Sequence, residues 1–213
     1  MAEAFLWLNQ DDQREVLEIV REKTQRPTLL IEKYVWVVWA LGALFDSALA
    51  DDLTFKGGTS LSKAYKDIDL TCDIRKLIPN LTGEAGFLPS SRNQASKWTP
   101  SVRERLPEWI ATKVCPVIEA AFARDQMHAR LEMGGEDNDK LLLHYPALKP
   151  SSGYVRSVVT MEFGGRATGE PHQALPVACD MDGHVEDVSF PTARPVLLSV
   201  ARTFWEKATA AHI

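Results

Sequence analysis

Apolar residues first recur at helical spacing in the run Arg14 to Lys23, where Val16, Ile19 and Val20 share a face. Asn9, Asp11 and Asp12 stand just ahead of it, so the pattern predicts a capped amphipathic helix. Arg26-Pro27-Thr28 ends it, because proline cannot continue the hydrogen-bond ladder. Leu29 to Leu49 is apolar on most faces and rich in aromatics (Tyr34, Trp36, Trp39, Phe45), which predicts a long central core helix. Leu53-Thr54-Phe55 reads as a short strand running into Lys56-Gly57-Gly58, and Thr59 to Tyr65 as a helix capped by Thr59 or Ser60. Asp67-Ile68-Asp69-Leu70 alternates with period two, as a strand does. Pro79 to Pro100, full of Pro, Ser, Gly and Asn, reads as a loop or insertion. Thr99 to Arg124 is helical, with Val102, Leu106, Trp109, Ile110, Val114, Val117 and Ile118 as its apolar stripe. Pro107 and Pro116 bend or split it.

The second half reads as sheet. Ala129 to Met133 and Lys140 to Tyr145 pair across the polar turn Gly134 to Asp139. Val155 to Phe163 is a third strand, Ala174 to Cys179 a fourth, and Val196 to His212 a helix. Strands and helices without strict alternation predict an α+β fold, taken as one domain over residues 1–213 with helices at its start and a helical region beginning at its end.

Composition narrows the class. With 45% hydrophobic residues in 213, the chain can bury a core, and its plentiful aromatic and β-branched residues argue against disorder. Val35 to Phe45, interrupted by Gly42, is too short to span a bilayer. Met1 to Gln10 lacks the basic start and apolar centre of a signal peptide, so a cytoplasmic protein without a membrane partner is expected. Cys72, Cys115 and Cys179 are widely spaced, form no CxxC pair and suggest neither a disulfide framework nor zinc. The net charge of -5 argues against a nonspecific nucleic-acid binder but leaves room for a local basic face. Arg92, Lys97, Arg103 and Arg105 are candidates for such a face, diluted by Glu104 and Glu108.

Three features carry chemistry. Gly57-Gly58, between a strand and a helix, lets backbone approach a phosphate at a helix N-terminus. Asp67 and Asp69, two apart on a strand, share a face, and two carboxylates there repel unless a cation lies between them. Hard oxygen ligands suit Mg²⁺, which completes its shell with substrate phosphates. Glu162, among apolar neighbours in Val158 to Phe163, needs a partner: a salt bridge, with Arg166 in reach, or a third share in the metal site. Together these describe two-metal phosphoryl transfer from an NTP, the parts of a polymerase-β-type nucleotidyltransferase.

The run Phe55-Lys56-Gly57-Gly58-Thr59-Ser60-Leu61-Ser62-Lys63-Ala64-Tyr65, followed by Asp67-Ile68-Asp69-Leu70, resembles the signature of the AbiEii/AbiGii toxin family of nucleotidyltransferases. Ile31-Glu32-Lys33 with Trp36-Val37 resembles that family's upstream pattern, with Tyr34 in place of its usual acid. Glu162 in Thr160 to Gly164 resembles its third carboxylate strand, and Thr203-Phe204-Trp205-Glu206-Lys207 its lysine helix. The resemblance implies Asp67, Asp69, Glu162 and Lys207 as catalytic residues and the same three acids as metal ligands. It implies Gly57, Gly58, Thr59, Ser60, Lys63 and Lys207 as nucleotide contacts. It also implies an RNA acceptor, tRNA in related members, a cognate antitoxin, and a role in phage defence or growth arrest.

Two departures stand out. Only Lys66 separates Tyr65 from Asp67, where the family has a longer segment. A seven-residue helix climbs about 10 Å, and returning needs about three extended residues and a turn, so either the helix is shorter or residues are missing from this link. The family also continues into further helices past the lysine helix, whereas this sequence ends at Ile213.

Two other functions remain in play. A small-molecule nucleotidyltransferase, of the kind that inactivates antibiotics, would use the same acids. A non-catalytic binding module would keep the fold and act through a partner. Asp180, Asp182, His184 and Asp187 read as a polar turn around Gly183 rather than a metal cluster, and Trp98, Trp109 and Trp205 as core.

Overall fold

The structure is a computed structural model that describes residues 2–56, 68–73, 92–149, 156–167 and 172–199, with 68–73, 92–99 and 166–167 described by backbone course. It opens with a two-residue strand β1 (Glu3–Ala4) and a single 3-10 turn. Helix α1 (Gln10–Thr24) begins where the cap residues predict: Asn9 Oδ1 accepts the N–H groups of Asp11 and Asp12, each at 3.0 Å. It ends at Gln25 in the left-handed region, ahead of Pro27.

Helix α2 (Thr28–Phe45) is buried on nearly every side and forms the spine of the core. It extends beyond Val35 to Phe45, the run judged too short to span a bilayer, and over its 18 residues it is long and apolar enough to cross a membrane by composition. Its burial inside the protein (83% of that window) gives it instead the environment of a core helix. The helix stops at Phe45 rather than Leu49, where Ser47 turns back to donate its hydroxyl to the Leu44 carbonyl at 2.6 Å. Strand β2 (Leu53–Phe55) follows as expected, and β3 (Ile68–Asp73) covers the alternating segment.

Helix α3 (Arg92–Trp109) corrects the sequence reading, which treated residues up to Pro100 as loop. Pro100 and Pro107 each remove a ladder bond, but Val102 and Leu106 are buried in the core, so tertiary packing overrides the local signal. A π-helical turn (Ile110–Val114) then leads into α4 (Cys115–Asp125). Pro116 lacks the N–H that would bond the Thr112 carbonyl, and the helix widens just before it. The expected split at the prolines is thus a change of winding in one continuous helical run.

Strands β4 (Arg130–Gly134) and β5 (Lys140–His144) form the predicted hairpin, in register from Arg130 opposite His144 to Gly134 opposite Lys140. Gly135 in the turn has φ +88°, and a Cβ there would run into the Asp139 carboxylate, so glycine is required. Strand β6 (Val158–Ala167) pairs antiparallel with β5 and parallel with β3. The expected fourth strand is broken at Pro176 into β7 (His172–Ala174) and β8 (Val177–Ala178), which join different sheets. Strand β9 (Val188–Ser189) pairs with β1, and β10 (Thr192–Ala193) with β8. The last described element is another correction: Val196–Leu198 is strand β11, not the start of a helix. It lies between β2 and β7, where its apolar side chains are covered and its backbone is paired on both sides.

The main sheet therefore runs β4-β5-β6-β3-β2-β11-β7 among the described residues, mixed in direction. Together with the helices this is a mixed α/β architecture with several sheets. One face is core: Leu141, Leu143, Val159, Met161 and Phe163 alternate inward, and α2 packs on β6. Thr160 and Glu162 take the opposite parity and stay partly accessible.

Candidate active site

The registers of β2, β3, β5 and β6 assemble a row of charged positions across the sheet. Asp69 on β3 is the direct partner of Glu162 on β6, in a parallel pair. Lys140 on β5 is the direct partner of Glu162 on its other side. Phe55 pairs with Leu70, so Lys56 stands one step further along the same row, opposite Asp69. Neighbouring strands lie about 4.8 Å apart and register partners share a sheet face, so positions 69 and 162 are adjacent on one face.

Chain direction brings more to this end of the sheet. Strand β2 runs toward it and leads into the Gly57-Gly58 segment, while β3 starts there, antiparallel. Strand β11 is parallel to β2, with Leu197 opposite Phe55, so the chain that continues toward Lys207 leaves from the same end. The glycine segment, the acid strand, Glu162 and the route to Lys207 are sequence-distant features that the topology leads to one sheet end. Gly57, Gly58, Thr59, Ser60, Lys63, Asp67 and Lys207 themselves lie outside the described residues, as do the Tyr65–Lys66 link and the helix over Thr59 to Tyr65.

Glu162 is 43% exposed on its side chain, and its Oε2 is 3.0 Å from Lys140 Nζ. The salt bridge anticipated for it therefore runs to Lys140. Sequence reading treated Lys140 only as a strand residue. The single legible signal was its place at the start of β5, and the register that sets it beside Glu162 comes only from folding. The Phe163 N–H donates to the Asp139 carbonyl at 2.9 Å, tying the hairpin turn to β6 next to the acid. A depression of about 270 Å³ opens here, lined by Arg103, Asp137, Asp139, Glu162 and Gly164 among others. Arg103 Nε lies 3.2 Å from Asp137 Oδ2, so this member of the basic candidate group borders Glu162 with its charge partly offset.

Two carboxylate-bearing positions stand in adjacent strands on one face, the oxygen-donor type that a hard divalent cation takes, but Glu162 is here paired with Lys140, a cation that a metal at Glu162 would have to share or displace. Asp180, Asp182, His184 and Asp187 form a turn, in which Asp180 pairs with Arg26 at 2.7 Å. Among the described residues no group of three or more His, Cys, Asp or Glu is arranged to hold a metal, in that turn or elsewhere. Trp109 is partly buried and meets Phe163 edge to face, as a core residue does. Cys179 is buried and Cys115 half-buried, and both are free thiols.

Residues 39–212 match the family model described as nucleotidyl transferase AbiEii toxin of a type IV toxin–antitoxin system. The chain belongs to this family of nucleotidyl transferase toxins, as its glycine-plus-acid motif led us to expect. Comparison with curated proteins and comparison with solved structures return no match.

Proposed function

We propose that residues 1–213 form one nucleotidyltransferase domain of polymerase-β type that moves a nucleoside monophosphate from an NTP onto RNA, with tRNA as the acceptor class. The observation that carries this reading is the direct pairing of Asp69 with Glu162 at the sheet end toward which the glycine segment and the Lys207 segment both lead. Asp67, Asp69 and Glu162 would hold Mg²⁺. When bound, the metal supplies charge neutralisation for the triphosphate and a lowered pKa for the attacking hydroxyl. Gly57, Gly58, Thr59 and Ser60 would receive the phosphates through backbone N–H groups and hydroxyls, with Lys63 and Lys207 adding positive charge. Lys140 balances Glu162, limiting repulsion between the neighbouring acids. The acceptor hydroxyl attacks the α-phosphorus in line, its proton leaves to solvent, and pyrophosphate departs.

The family supports a cognate antitoxin as partner. Phage defence and action in the cytoplasm belong to the same proposal. A small-molecule acceptor would use the same acids, and the net charge of -5 favours it slightly over RNA. Equilibrium binding of each NTP with and without Mg²⁺, in the natural protein and in Asp67→Ala, tests the first step. Mg²⁺-dependent binding that Asp67→Ala abolishes is expected. Metal-independent binding, or binding unchanged in Asp67→Ala, contradicts the proposal and favours the non-catalytic alternative.

A further inference from the structure

Glu32 sits in the first turns of α2, away from the acid row. Its side chain belongs to a residue only 2% exposed, and one hydrogen bond reaches it, from the Leu148 N–H to Oε1 at 2.9 Å. Among the described residues no cation pairs with this carboxylate. Arg14, whose charge reaches Glu32, is committed to the Leu148 carbonyl at 2.9 Å and to Asp11 at 2.6 Å. Among the described residues no hydrogen bond reaches the second oxygen, which is not fully enclosed, and a largely buried carboxylate without a counter-charge is costly.

Glu32 also lines a depression of about 190 Å³, together with Leu8, Gln13, Trp36 and Leu148. No lysine or arginine lines it. Gln13 donates through Nε2 to the Phe5 carbonyl at 3.0 Å, which leaves its own Oε1 as an acceptor. Trp36 is held by stacking on Tyr145, with ring centroids 5.2 Å apart. The depression thus offers a carboxylate, a neutral acceptor and an aromatic wall, with the amides of Asn9, Gln10 and Gln126 and the His128 imidazole also on its lining. Aromatic faces and carboxylates together select cations.

We propose that this depression binds a small organic ammonium, a primary amine with an apolar body. Its N–H groups donate to the unpartnered oxygen of Glu32 and to Gln13 Oε1, and its body lies against Trp36, Leu8 and Leu148. The site is separate from the acid row and shares no residue with it.

The test follows the Leu148 amide and the Gln13 side-chain amide by NMR in the full chain at pH 8, during titration with benzylamine and with its neutral counterpart benzyl alcohol. Benzylamine is expected to shift both signals saturably and to bind at least tenfold more tightly than the alcohol. Glu32→Gln keeps the shape and is expected to abolish that preference. Leu8→Trp fills the depression with Glu32 intact and is expected to block both ligands. Equal binding of the two ligands, a preference that survives in Glu32→Gln, benzylamine shifts that persist in Leu8→Trp, or no saturable shift in the natural protein would each overturn the proposal.

Discussion

Replacing Glu32 with glutamine should change the protein's stability more favourably at pH 8 than at pH 4. Burial pushes the Glu32 carboxyl up from 4.5 to about 7, against smaller opposing effects from the Leu148 N–H and from Arg14. A group whose value is raised on folding binds its proton more tightly in the folded state. Its contribution to stability is therefore complete below pH 4.5 and is lost as the pH rises through 7. At about 1.4 kcal/mol per pH unit, the interval from 4.5 to about 7 amounts to about 3 kcal/mol. Glutamine carries no charge at any of these pH values and can still accept from the Leu148 N–H, so the variant escapes that loss. Burying its amide group costs a roughly constant amount across the pH range, which cancels when the two ends are compared. Urea unfolding at pH 4, 6 and 8 measures the difference. The variant should gain about 3 kcal/mol relative to the natural protein between pH 4 and pH 8. A difference that stays flat with pH would refute the claim that Glu32 is buried without a counter-charge.

Glu18 should act with the opposite sign. Hydrogen bonds from Lys149 and Arg21 hold its carboxyl down at about 2. Its contribution is present above pH 4.5 and is lost as the pH falls toward 2, so Glu18→Gln should flatten the acid limb of the stability profile. Met161→Ala, at a fully buried position on β6, should cost about 2–5 kcal/mol by urea unfolding without changing the cooperativity of the transition. Asn9→Ala removes the acceptor for two N–H groups of α1 and should cost about 1 kcal/mol, with helical content nearly unchanged by circular dichroism.

Local chemistry was the legible part of the fold. The Asn9 cap, the turn at Gly135 and the strands over Leu53–Phe55 and Lys140–His144 each depend on a few neighbouring residues, and each lies where its sequence signal placed it. The start of α3 and Val196 mark the failures. The Pro/Ser-rich stretch before Thr99 argued against helix, but α3 begins at Arg92, and burial of its own Val102 and Leu106 against the core holds it. Val196–Leu198 resembled the start of an apolar helix, and only its two partner strands, β2 and β7, make it a strand. The same divide runs through the candidate site. Asp69 and Glu162 could be picked out as acids in strands, but their adjacency is a matter of register between segments more than ninety residues apart, which no local pattern encodes. Lys140 was missed for that reason: its importance lies in facing Glu162, not in its own surroundings in the chain.

Transfer itself tests the central claim most directly. The full chain would be incubated with Mg²⁺, each labelled NTP in turn and total bacterial RNA, beside Asp69→Ala and Glu162→Gln. Label from one NTP in a tRNA-sized band, reduced by on the order of 10²-fold or more in both variants while their unfolding curves stay cooperative, is the predicted result. Undiminished labelling in the two folded variants would contradict the assignment of the acid pair, and no label from any NTP in the natural protein would contradict RNA as the acceptor.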